Sequence, residues 1–154
     1  MGYISDFGTK FAAPILALVA LSMSSALGAT SGVHLDLKVS GLRNMKGQLM
    51  VCMTTNPKAF PDCSKDPSAI KRLVAATDAG DIRFDGVAPG TYAVAIVHDE
   101  NRNNKMDLAV FVPKEGFAFS RNPAIRMGPP SFKSAAFVVG DVDASMSIKM
   151  KYMF

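Results

Sequence analysis

Residues 92–97 read Tyr-Ala-Val-Ala-Ile-Val, a run with no polar position on either face of a strand. A strand that is apolar on both faces needs cover on each side, so this run commits the chain to a layered β-structure with residues 92–97 inside a sheet. Tyr92, Val94, Ile96 and His98 fall on one face, and Ala93, Ala95 and Val97 on the other. The Pro89-Gly90 turn that feeds the run places Tyr92 at a corner, where its ring fills the core and its hydroxyl bonds a nearby backbone group.

Further strands follow from the period-two pattern. Val33, Leu35, Leu37 and Val39 alternate with His34, Asp36, Lys38 and Ser40, which describes a half-buried strand with His34 on its outward face. Turn residues at 41–47 then predict a hairpin with a returning strand at 48–54. Residues 55–68, with Pro57, Pro61 and Pro67, form a loop with Phe60 tucked beneath it. Residues 69–77 fit a strand or a helix, with the strand favoured, and 81–84 is a short strand. Residues 135–139 and 145–152 close the fold, with Met146, Ile148, Met150 and Tyr152 facing inward. About seven short strands separated by turns predict an all-β antiparallel sandwich.

Residues 11–21 are almost unbroken in apolar character and lead into small residues ending at Ala26 or Ala29, the pattern of a cleaved signal peptide spanning 1–29. Residues 30–154 then form a single mature domain, exported to the periplasm or beyond, without a stable membrane span. That removal takes away Lys10 and Asp6 and leaves the net charge at +4. The basic residues are scattered, without a basic block or interleaved aromatics, which argues against nucleic acid as a partner. The two cysteines, Cys52 and Cys63, are expected to pair in an oxidising compartment, fastening the 55–68 loop.

The central strand runs out into His98-Asp99-Glu100-Asn101-Arg102-Asn103-Asn104-Lys105-Met106-Asp107. Counted from Asp99, the Asn101, Asn103 and Asp107 side chains and the Lys105 carbonyl occupy positions 3, 5, 9 and 7 of a calcium loop. Asn104 takes the sharp-turn position, and Val110 stands where such a loop carries its bidentate Glu. Only two carboxylates are thus offered, which implies a weak structural site with Kd roughly 10⁻⁴–10⁻³ M. The competing reading is a turn whose Asx side chains bond their own backbone. His98, next to Asp99, is expected to orient the loop through a hydrogen bond.

The stretch 113–132 is rich in Pro, Gly and Asn and is read as a long irregular excursion. Phe117, Phe119 and Phe132 either pin it to the sandwich or form a surface for a carbohydrate or other small ligand. Asp99, Asp107, Glu115 and His98 are the candidates for acid–base chemistry. No nucleophile, phosphate loop or hydrolase elbow accompanies them, so the domain is read as non-enzymatic.

Residues 84–92, His98-Asp99-Glu100-Asn101, residues 112–120 and Pro129-Pro130-Ser131-Phe132, in that order, resemble the uncharacterised bacterial family DUF2141. The likeness spans about Val33 to Tyr152. It implies an exported β-sandwich of immunoglobulin-like or transthyretin-like type and brings no established activity. The family usually carries Gly at the positions of Arg102 and Asn104, where this chain departs from it. The expectation is an exported domain of unknown role, with an unidentified protein or glycan partner in the cell envelope.

Overall fold

The computed structural model describes residues 32–126 and 128–154, so the expected signal peptide lies outside the described residues. Ten strands are present among them: β1 (Val33–Ser40), β2 (Gln48–Thr54), β3 (Ile70–Ala75), β4 (Ile82–Val87), β5 (Gly90–Asp99), β6 (Leu108–Ala109), β7 (Val112–Pro113), β8 (Gly116–Phe119), β9 (Phe137–Val139) and β10 (Ala144–Lys149). A one-turn helix, α1 (Phe132–Ala135), is capped by the Ser131 side chain. The protein is mostly β, as the alternation predicts.

The strands form a three-stranded sheet in the order β10-β1-β4 and a five-stranded sheet in the order β3-β2-β5-β8, with β9 also on β5. β8 and β9 lie end to end along one edge of β5, pairing with residues 95–98 and 90–92 respectively. Ser120 fills the gap between them, with its N–H donating to the Val94 carbonyl at 3.0 Å and its hydroxyl to the Ala135 carbonyl at 2.5 Å. Leu35, Leu37, Phe84 and Ile148 of the smaller sheet share one core with Leu49, Val51, Met53, Val94 and Ile96 of the larger. Tyr92 sits at the corner, its hydroxyl donating to the Ala88 carbonyl at 2.9 Å.

Three expectations are corrected. β1 and β2 do not form a hairpin, because residues 41–47 carry the chain from one sheet to the other. The alternation identifies an apolar face on each strand, and both faces meet the same core from opposite sides. The fold is not wholly antiparallel, since β1 runs parallel to β10, with Leu35 opposite Ala144 and Val39 opposite Ile148. Nor is the 113–132 stretch irregular throughout: its Gly-Phe-Ala-Phe segment is β8, fully buried on the edge of β5. Gly116 is required there because a Cβ would lie 2.4 Å from the Tyr152 ring.

Candidate functional site: the end of β5 and the outer face of its sheet

β5 ends in the 99–107 loop, and the loop is tied together by its own amides. Buried Asp99 accepts the Asn103 N–H at 3.0 Å on one oxygen; the other takes the Asn104 N–H at 2.8 Å and the Gln48 side-chain amide at 2.9 Å. Asn101 Oδ1 accepts the Asn103 N–H, and Asn103 Oδ1 the Lys105 N–H. The side-chain amides of Asn101 and Asn103 each donate to Asp107, at 2.8 and 2.9 Å. Burial raises the Asp99 pKa, but the Gln48 amide and the N–H groups of Asn104, Asn103 and Arg102 outweigh it and hold the carboxyl below its usual range. The Asx side chains thus bond the backbone of their own loop. Among the described residues, no three His, Cys, Asp or Glu side chains as placed could hold one metal ion.

Arg102 and Asn104 sit at φ 59° and 61°, in the left-handed region. Glycine adopts that region without a steric cost, and Asn better than most other residues. Gly47, at φ 73°, abuts the start of the loop, and a Cβ there would lie 2.1 Å from the Asp99 carbonyl oxygen.

The expected hydrogen bond from His98 to the loop is not formed, because both ring nitrogens bond elsewhere. His98 is fully buried, with Nδ1 2.8 Å from the Tyr152 hydroxyl and Nε2 2.8 Å from the Lys46 carbonyl. The inward alternation of β5 turns the ring toward the 41–47 connection and Tyr152, with Glu100 Oε1 3.9 Å from Nδ1. Arg43 stacks on Tyr152 and pairs with Glu100 at 2.6 Å, which locks the same corner. His34 is at the surface as expected, hydrogen-bonded to Asp85 at 2.6 Å.

Beyond the loop, β6 and β7 form a small hairpin whose tip holds Val110 and Phe111, 86% and 92% exposed. Glu115 follows. Burial pushes its carboxyl up, and the charges of Asp99 and Asp107 add to that shift against the N–H groups of Asp107 and Glu100.

The outer face of the five-stranded sheet is apolar across four strands. Strand register aligns Leu73, Met50, Val97 and Phe117 in one row, and Lys71, Cys52, Ala95 and Phe119 in the next. The Cys52–Cys63 disulfide, with a Cα–Cα separation of 6.2 Å, fastens the 55–68 loop along one side of this floor. The β6–β7 hairpin and residues near Ile125 stand on the other side, enclosing a groove of about 1000 Å³. Lys71, Lys105 and Arg126 lie at its rim, with Asp62 as the acidic residue of its wall.

Of the aromatic trio, Phe117 and Phe119 are buried in the groove floor, 5.9 Å apart between ring centres. Phe132 lies behind, packed on Phe60 at 6.0 Å, and Phe60 in turn meets Phe119 at 5.8 Å. These rings pin the excursion to the sheet and leave little bare aromatic face. Sequence reasoning missed Met50, Leu73 and Val97 as a continuous surface. The signal was present in the apolar outward positions of β2, β3 and β5, but the row appears only once their register is known.

A two-sheet β-domain with one packed face, one open face and an Asx loop at the end of its central strand is the class these features define. The family model of DUF2141, described as an uncharacterized protein conserved in bacteria, matches residues 37–147, and the chain belongs to that family. No curated protein and no solved structure matches it. Among the described residues no helix is long and apolar enough to cross a membrane.

Proposed function

We propose that this chain is an exported, non-enzymatic sandwich of the immunoglobulin-like or transthyretin-like type. Its role is to hold a small amphipathic ligand in the groove on the outer face of the five-stranded sheet. The observation that carries the reading is the row Leu73–Met50–Val97–Phe117, an apolar floor inside a groove of about 1000 Å³. Sites for small molecules are concave, mostly apolar and of roughly 300–1000 Å³, with a few polar groups that set orientation. Lys71, Lys105 and Arg126 supply those groups and favour a ligand with an anionic head. A sugar is a poorer match, because its rings stack on bare aromatic faces, and of Phe111, Phe117 and Phe119 in the groove lining only Phe111 is open. The disulfide supports export, since such bonds persist in oxidising compartments.

Titration with the anionic dye anilinonaphthalenesulfonate, read by fluorescence, tests the reading. Leu73 and Phe111 are exposed, so Leu73→Glu and Phe111→Ser leave the core intact. Each is expected to weaken dye binding about tenfold or more, the scale of losing one buried apolar side chain. Val138→Ser, at an exposed position outside the groove, is expected to bind as the wild type does. Unchanged binding by both groove variants overturns the proposal.

A further inference from the structure

Glu115 lies between β7 and β8, outside the calcium-loop spacing, yet its carboxyl is built into the base of the 99–107 loop. The residue is only 4% exposed. Its Oε2 accepts the Asp107 N–H at 3.1 Å, while its Oε1 is buried without a hydrogen-bond partner. An orphaned buried carboxylate oxygen is costly, and in folded proteins such a position is commonly filled by an ordered water or an ion. The charges of Asp99 and Asp107 bear on this same carboxyl. Among the described residues none of the three is in a salt bridge with Lys or Arg. Three carboxylates are therefore gathered at one loop with no cationic side chain bonded to them.

We propose that Glu115 completes a calcium site with the 99–107 loop. Asp99, Asp107 and Glu115 carry the charge, and Asn101 Oδ1, Asn103 Oδ1 and the Lys105 carbonyl fill out the oxygen shell. Glu115 supplies from outside the loop the acidic group that Val110 lacks at position 12. The Asn101 and Asn103 oxygens each accept one N–H and keep a second lone pair for an ion. As placed, the three carboxylates do not converge on one ion, so the site forms only if Asp107 moves. Its two oxygens are faced by the Asn101 and Asn103 amide donors, which stand in for a cation's positive charge, and an ion draws it from them toward Glu115. An all-oxygen, adaptable shell suits calcium better than magnesium, which demands a tighter octahedron. The groove plays no part in this site, so its failure leaves the ligand-binding reading untouched.

Calorimetric titration of the EDTA-treated protein with calcium chloride, paired with thermal melts, tests the assignment. The wild type is expected to bind one ion with Kd roughly 10⁻⁴–10⁻³ M. Its Tm is expected to rise by about 4 °C at a tenfold excess over Kd. Glu115→Gln keeps the side chain's shape and removes the uncompensated charge. It is expected to melt above the wild type in EDTA and to bind calcium at least tenfold more weakly. Asp107→Asn is expected to weaken binding similarly. Absence of heat and of any Tm shift in the wild type at about 10 mM calcium, well above the expected Kd, overturns the site. A full calcium shift retained by Glu115→Gln overturns the role of Glu115.

Discussion

The two faces of β5 carry residues of similar hydrophobicity and meet different fates. Inward, Tyr92, Val94 and Ile96 are sealed beneath the three-stranded sheet. Outward, Ala93 and Ala95 are covered by aromatic side chains of the excursion, while Val97 opens onto the groove with Met50 and Leu73. Apolar character alone therefore does not mark the core. What decides is whether the fold supplies a second layer, and here the 55–68 loop and the β6–β7 hairpin cover only the margins of the outer face.

Substitutions that separate the two faces have the largest expected effects. Ile96→Ala empties a fully buried site and is expected to cost about 2–5 kcal/mol in urea unfolding. Val97→Ala, its neighbour on the open face, is expected to cost less than about 1 kcal/mol, since a half-buried side chain loses less apolar burial and leaves no closed cavity. Equal losses at the two positions would erase the distinction between packed and open faces. Next in size is the disulfide that holds one wall of the groove. Replacing Cys52 and Cys63 by Ser is expected to lower stability by roughly 2–3 kcal/mol, the scale for a loop of this length. Dye affinity should fall as well, because the wall is released.

The smallest expected effect is a pH dependence at the foot of that wall. The hydroxyls of Ser68 and Thr54 and the Ser68 N–H hold the buried Asp66 carboxyl below its ordinary value near 3.8. A lowered folded pKa contributes stability that is fully present above the ordinary value. That contribution is lost as pH falls through the lowered one. Asp66→Asn should therefore lose stability at neutral pH and show a flatter decline than the wild type below about pH 4. Parallel pH profiles of the two proteins in urea unfolding would remove Asp66 from the account.

Much of this organisation is legible in the sequence, to a definable depth. Alternation in β1 and β10 identifies the inward residues, because a strand's period of two maps directly onto faces. Alternation carries no information about neighbours, so the turn residues at 41–47 suggest a β1–β2 hairpin and nothing in the sequence signals the parallel β1–β10 pair. β8 was hidden because Gly116 and Ala118 lower its strand propensity, and its stability comes from register with β5. The loop from Asp99 to Asp107 is legible as a unit, since its Asx residues act on their near neighbours. Glu115 is not, because the spacing rule looks along the chain and this carboxyl reaches the loop through the β6–β7 hairpin. His98 next to Asp99 invited a local bond, whereas strand geometry sends consecutive side chains to opposite faces.

The claim that the outer face is kept open for a ligand is tested most directly by mapping backbone amide shifts of the isotope-labelled protein during dye titration. The account predicts saturable changes along Met50, Leu73, Val97 and Phe117 and at the 108–113 hairpin, with little change at Leu35, Leu37 or Ile148 in the opposite sheet. Shifts confined to the smaller sheet, or a groove left unperturbed at saturation, would contradict it.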